Sequence, residues 1–153
     1  MRRRMLLLVW LLAAPAAAQQ ILIPMDAYQT DHLKAYGVAY WALSQGVDVD
    51  WLLNYRGGAF LLQDFPGLQA ELRIRGVAFE AIDDATAARI LAEVEAEDRN
   101  TAVVRLEKAP RIAVYAPPYT QPWDDAVMLA LNYAEVPYDQ IYDEEVLSGE
   151  LEK

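Results

Sequence analysis

Two small groups of polar residues stand where short apolar runs end. Asp26, Gln29 and His32 follow the run at 21–25, and Asn54, Arg56, Gly57 and Gly58 follow the run at 47–53. A guanidinium presents a planar fork of donors that matches a carboxylate or a phosphate, and adjacent glycines let the backbone approach the same anion. A lone imidazole at a helix start stays neutral and suits proton transfer. If the two runs are neighbouring strands of one sheet, all seven residues converge beyond its edge and form a site for a small anionic molecule. The plainer alternative is a tight Gly-Gly turn with an exposed arginine and a bystander histidine.

Other chemistry is excluded by what the chain lacks. It has no cysteine, so it carries no thiol nucleophile and no thiolate-bound metal. A single histidine forbids a multi-histidine metal site. The only serines are Ser44, inside a helical pattern, and Ser148, near the end of the chain, which disfavours a Ser-His-Asp arrangement. There is no glycine-rich phosphate loop. The acidic pairs Asp83-Asp84 and Asp124-Asp125 and the run Asp143-Glu144-Glu145 stand at expected helix starts, where capping explains them without a metal. No cofactor is called for, and binding is favoured over catalysis.

The elements that would position the seven residues are legible in outline. Residues 21–25 read as a strand, 31–45 as a helix stopped by Gly46, and 47–53 as a second strand, the length of a β-α-β unit. On the helix, Leu33, Gly37, Tyr40 and Trp41 share one face, and Gly37 implies close approach to the sheet. Residues 59–62 continue the apolar character after the glycine pair. A helix starts near Asp64-Phe65-Pro66 and closes at Gly76. A strand follows at 77–82, then a helix at 85–98 with the stripe Ala87, Ile90, Leu91 and Val94, then a strand at 101–106. Residues 108–110 read as a linker, since Pro110 interrupts helix and sheet bonding alike. A second unit reads strand 112–116, a stiff loop at 117–122, helix 123–135, strand 138–142 and a short last helix. Alternation of strand and helix implies a mostly parallel, Rossmann-like or flavodoxin-like α/β sheet with helices on both faces. The second unit is too short to complete such a sheet.

Residues 1–18 read as a signal peptide: three arginines, an apolar core at 5–14, and a small-residue cleavage site before Gln19. Export to the periplasm or medium of a bacterium follows, with no stable membrane anchor after cleavage. Losing Arg2, Arg3 and Arg4 takes the formal net charge from -10 to -13, which disfavours nucleic acid and anionic membranes as partners.

Six segments resemble a known family. The segments 21–26 (ILIPMD), 32–43 (HLKAYGVAYWAL) and 51–58 (WLLNYRGG) are similar to the start of exported bacterial asparagine synthetase B-like proteins. The segments 111–118 (RIAVYAPP), 121–139 (QPWDDAVMLALNYAEVPYD) and 141–147 (IYDEEVL) resemble their continuation into a class I glutamine amidotransferase-like domain. The resemblance implies a flavodoxin-like fold from residue 111 onward, a chain that is the N-terminal part of a longer protein, and a catalytic cysteine beyond residue 153. The convergent polar set without a nucleophile favours a small-molecule binding or structural module; the alternatives are a part of an amidotransferase or amide hydrolase, which the resemblance implies, and a module that binds protein or glycan. An exposed sheet edge would permit a homodimer.

Overall fold

A computed structural model describes residues 19–117, 119 and 125–149. Residues 1–18, where a signal peptide is expected, and most of the 117–122 loop lie outside the described residues. Chain order is β1 (Gln19–Ile23), α1 (His32–Ser44), β2 (Val49–Leu53), β3 (Ala59–Gln63), α2 (Leu68–Ile74), β4 (Glu80–Asp83), α3 (Asp84–Val94) and β5 (Ala102–Leu106). Then come β6 (Ala113–Tyr115), α4 (Ala126–Ala134), β7 (Asp139–Ile141) and α5 (Asp143–Leu147).

The first sheet is five-stranded, in the order β4-β1-β3-β2-β5, and every pairing in it is antiparallel. This overturns the expected parallel Rossmann-like sheet. The cause is local. Residues 59–63 are not the tail of a glycine loop but a full strand, joined to β2 by the turn 54–58. Asn54, Arg56, Gly57 and Gly58 all adopt positive φ there, which reverses the chain and inserts β3 between β1 and β2. The β1-α1-β2 and β3-α2-β4 crossovers therefore each skip a strand. This is the split β-α-β arrangement of ferredoxin-like folds, with α3 and β5 added. The only parallel pairing among the described residues is β6 with β7, three residues each.

Helices cover both faces of the five-stranded sheet. Ile21, Ile23, Val49, Phe60 and Leu62 pack with Ala35, Val38, Ala39 and Ala42 of α1 and with Leu68 and Leu72 of α2. Leu22, Leu52 and Leu61 pack on the other face against Ala87, Ile90 and Val94 of α3. Asp31 caps α1 by accepting from the Lys34 N–H, and Asp83 caps α3 by accepting from the Thr86 N–H. The buried stripe of α1 is Ala35, Val38, Ala39 and Ala42, not the expected face. Leu33 and Tyr36 are exposed, and Gly37 faces α4 rather than the sheet. A separate small core joins Val114 and Ala116 to Met128.

Candidate functional site

The turn 54–58 folds back onto the chain just after β1. The Met25 N–H donates to the Arg56 carbonyl at 2.9 Å. A Cβ on Gly57 would stand 2.3 Å from the Met25 carbonyl oxygen, so only glycine fits against that peptide. The His32 Nε2 lies 3.1 Å from the same oxygen. A carbonyl only accepts, so this ring nitrogen carries the proton. Of the seven residues expected to converge, Asp26, His32, Arg56 and Gly57 are brought together, by the turn rather than by neighbouring strands.

Arg56 is already matched. Its Nε donates to Asp26 Oδ2 at 2.8 Å and its Nη1 to Glu80 Oε1 at the head of β4. Those bonds hold the guanidinium above its ordinary pKa, and the bond from Arg56 is the main cause of an Asp26 carboxyl held below the usual range. The exposed Tyr28 ring lies 5.9 Å from the guanidinium carbon. One cation between two carboxylates leaves the cluster net negative. A carboxylate or phosphate entering here would have to displace Glu80 or Asp26. What the cluster does in the fold is clip the hairpin turn and β4 to the end of β1.

The other expected site residues serve elsewhere. Gln29 is 4% exposed and fully bonded. Its Nε2 donates to the Pro24 and Ala78 carbonyls at 2.9 and 3.1 Å, and its Oε1 accepts from the Ala78 N–H at 2.9 Å. It pins the loop after β1 to the approach to β4. Asn54 donates to the Asn100 carbonyl at 2.8 Å, away from Arg56. Gly58 packs under Trp51, whose indole N–H donates to its carbonyl at 3.1 Å. Between Asn54 and Arg56 in the same turn, Tyr55, not among the expected site residues, packs against the α3 side of the core. Glu80 escaped notice because it is a charge inside an otherwise apolar stretch, and that placement was its only signal.

The more extensively built feature is the seam between α1 and α4. A Cβ on Gly37 would stand 1.8 Å from the Ala134 carbonyl oxygen and 2.9 Å from its carbon, so the two helices touch backbone to backbone. Around this contact sits a ring of charges. Lys34 Nζ meets Glu135 Oε1 at 2.6 Å, and Arg75 Nη2 meets Glu135 Oε2 at 3.2 Å. Arg75 Nη1 also donates to the Ala134 carbonyl at 3.4 Å. The Tyr133 hydroxyl donates to Asp31 Oδ2, and Lys34 Nζ lies 4.9 Å from the Tyr133 ring centre. The Lys34 hydrogen bond chiefly holds the Glu135 carboxyl low. Burial raises Asp31, yet the bonds from Tyr133 and from the Lys34 N–H outweigh it and leave that carboxyl low as well. Glu135 itself caps α4 at φ 59°, a left-handed conformation that leaves its side chain between the two cations.

An open apolar cleft of about 210 Å³ lies beside α1, lined by Tyr36, Tyr40, Leu43, Trp51, Phe60 and Leu106. Among the described residues no group of three or more His, Cys, Asp or Glu side chains could hold a metal, and no helix is long and apolar enough to cross a membrane. No protein-family model, curated protein or solved structure matches this chain.

Proposed function

We propose that the chain is a non-catalytic module of an exported protein, in which residues 19–107 form a platform that fixes the orientation of the β-α unit at 111–149. The observation that carries this is the Gly37–Ala134 backbone contact, because a seam so close permits one relative position and not a range. The charge ring supports the same reading. Glu135 takes both Lys34 from α1 and Arg75 from the end of α2, so three elements are tied at one carboxylate. Export rests on the leader at 1–18. The amide-transfer alternative rests on the resemblance of 111–147 and needs a nucleophile that these residues do not carry.

The test is hydrogen exchange on the full chain with Lys34→Met and Arg75→Met together. Both side chains are largely buried, at 17% and 8% exposed, and methionine keeps much of their apolar contact. The platform reading expects faster exchange of the α4 amides with β1 and β3 still protected. Unchanged α4 exchange would remove it.

A further inference from the structure

A sheet edge is a row of unpaired N–H and C=O groups, and most proteins blunt theirs. The two edges of the five-stranded sheet differ. At one end, β4 has four residues, carries Glu80 and Asp83, and runs directly into α3. Glu80 is held by Arg56 and Asp83 caps the helix, so this edge is short, charged and committed. At the other end, β5 has five residues, Ala-Val-Val-Arg-Leu, without proline or glycine. Among the described residues it pairs only with β2. Its one charge, Arg105, reaches back to Asp48 just before β2 at 2.6 Å and to Asp50 on β2 at 3.5 Å, so it does not guard the open side.

The register with β2 fixes which side chains of β5 share a face. Val104 pairs with Trp51 and Leu106 with Val49, both of which face α1, and Ala102 follows by alternation. Along the open edge the α1-side row therefore reads Ala102, Val104, Leu106, with Val104 38% exposed. An antiparallel second strand of the same sequence, with its two-fold axis at Val104, sets valine against valine and each Leu106 against the Ala102 of the other copy. Large meets small twice, and no like charges stand opposite. Moving the axis to Arg105 would place two arginines face to face, and moving it to Val103 would carry Leu106 past the end of the partner strand. Leu106 also walls the apolar cleft, so the second copy would cover surface that one copy leaves open.

We propose that β5 is a self-association edge, joining two copies of the chain antiparallel through Val104 into one continuous ten-stranded sheet. A five-residue strand pair falls well short of the roughly 1,200 Å² that stable interfaces bury, so the dimer is weak and depends on concentration. The chain has no cysteine, which makes the register testable by single thiols. In the full chain, Val104→Cys puts the two Cα atoms about 4.5–5.5 Å apart across the axis, within disulfide reach, whereas Val103→Cys faces Arg105 of the other copy. Mild oxidation should yield covalent dimer from Val104→Cys at least about tenfold faster than from Val103→Cys, and the wild-type chain should sediment as a growing dimer fraction as its concentration rises toward about 1 mM. Equal cross-linking rates, or a wild-type chain that stays monomeric throughout that range, would overturn the assignment. The second result would also say that any strand this edge takes comes from a different protein.

Discussion

Replacing Gly37 by alanine should reverse the usual sign of that substitution. In the interior of an exposed helix, Gly→Ala stabilises by about 1 kcal/mol, because alanine loses less backbone entropy on folding. Here the added methyl carbon would lie 1.8 Å from the Ala134 oxygen, where ordinary contact begins at 3.4 Å. Backbone cannot swing aside as a side-chain tip can, so α4 must retreat by the difference, about 1.6 Å, if α1 stays seated on the sheet. That retreat opens the 2.6 Å Lys34–Glu135 pair and ends the 3.4 Å Arg75–Ala134 bond. Overpacking of this kind costs about 1–3 kcal/mol. The propensity gain offsets part of it, leaving α4 less well held while β1, β2 and β3 keep or slightly gain stability. Urea unfolding followed by far-UV circular dichroism, with hydrogen exchange resolved by peptide, separates the two effects. The reasoning is refuted if Gly37→Ala simply stabilises the chain by about 1 kcal/mol and leaves α4 exchange untouched.

Other perturbations follow from the same geometry. Gln29→Leu should cost about 2–4 kcal/mol, because it strands two carbonyls and one N–H beneath the surface, and thermal unfolding would read the loss. Arg56→Ala should lower the melting temperature by leaving Asp26 and Glu80 without their shared cation, and phosphate or citrate should not raise the melting temperature of the wild-type chain; a rise in the wild type that is lost in Arg56→Ala would show that the site takes an anion after all. Asp26, Asp31 and Glu135 have carboxyls held below their ordinary values, so each contributes stability above its unfolded pKa of roughly 4 that is lost as pH falls through the lower folded value. Stability should therefore drop below about pH 4, less steeply in Arg56→Ala, as a pH series of urea midpoints would show. Asp50 runs the other way: burial raises its carboxyl, so its ionised form is disfavoured in the fold above that value. Asp50→Asn should be neutral or stabilising at pH 7, and a marked loss would show that its pairing with Arg105 outweighs the burial.

The sequence was legible wherever one face of an element was decisive. The α3 stripe stood out because one side of that helix is solvated, and a cap at Asp83 or Asp84 was legible with it, Asp83 being the one that bonds. The Asp26–Arg56 meeting was expected from two neighbouring strands, whereas it is the 54–58 turn that brings the two residues together, with β3 lying between β1 and β2. Strand direction was not. Ile21, Leu22 and Ile23 are all buried because α1 and α2 cover one face of the sheet and α3 the other. An antiparallel strand covered on both faces shows the continuous apolar run normally left by a parallel one. The same reason hid β3: residues 59–62 are all buried, and the glycine pair before them matched an anion loop as well as a hairpin turn. Gln29 could not be told from a ligand-binding amide, since its bonds go to backbone groups at Pro24 and at Ala78, the latter 49 residues away. On α1, alanines carry the packing. They announce little by hydropathy, so the larger Tyr40 and Trp41 suggested a different face from the one that is buried.

The platform account stands or falls on whether α1 touches α4 in solution. In a uniformly labelled sample, nuclear Overhauser contacts from the Gly37 α-protons report this directly. The account predicts cross-peaks from Gly37 to Ala134 and Glu135, alongside the Ile23–Phe60 contacts of the paired β1 and β3 strands. Strand contacts present with no cross-peak between Gly37 and α4 would contradict it, and would leave the two units without a fixed seam.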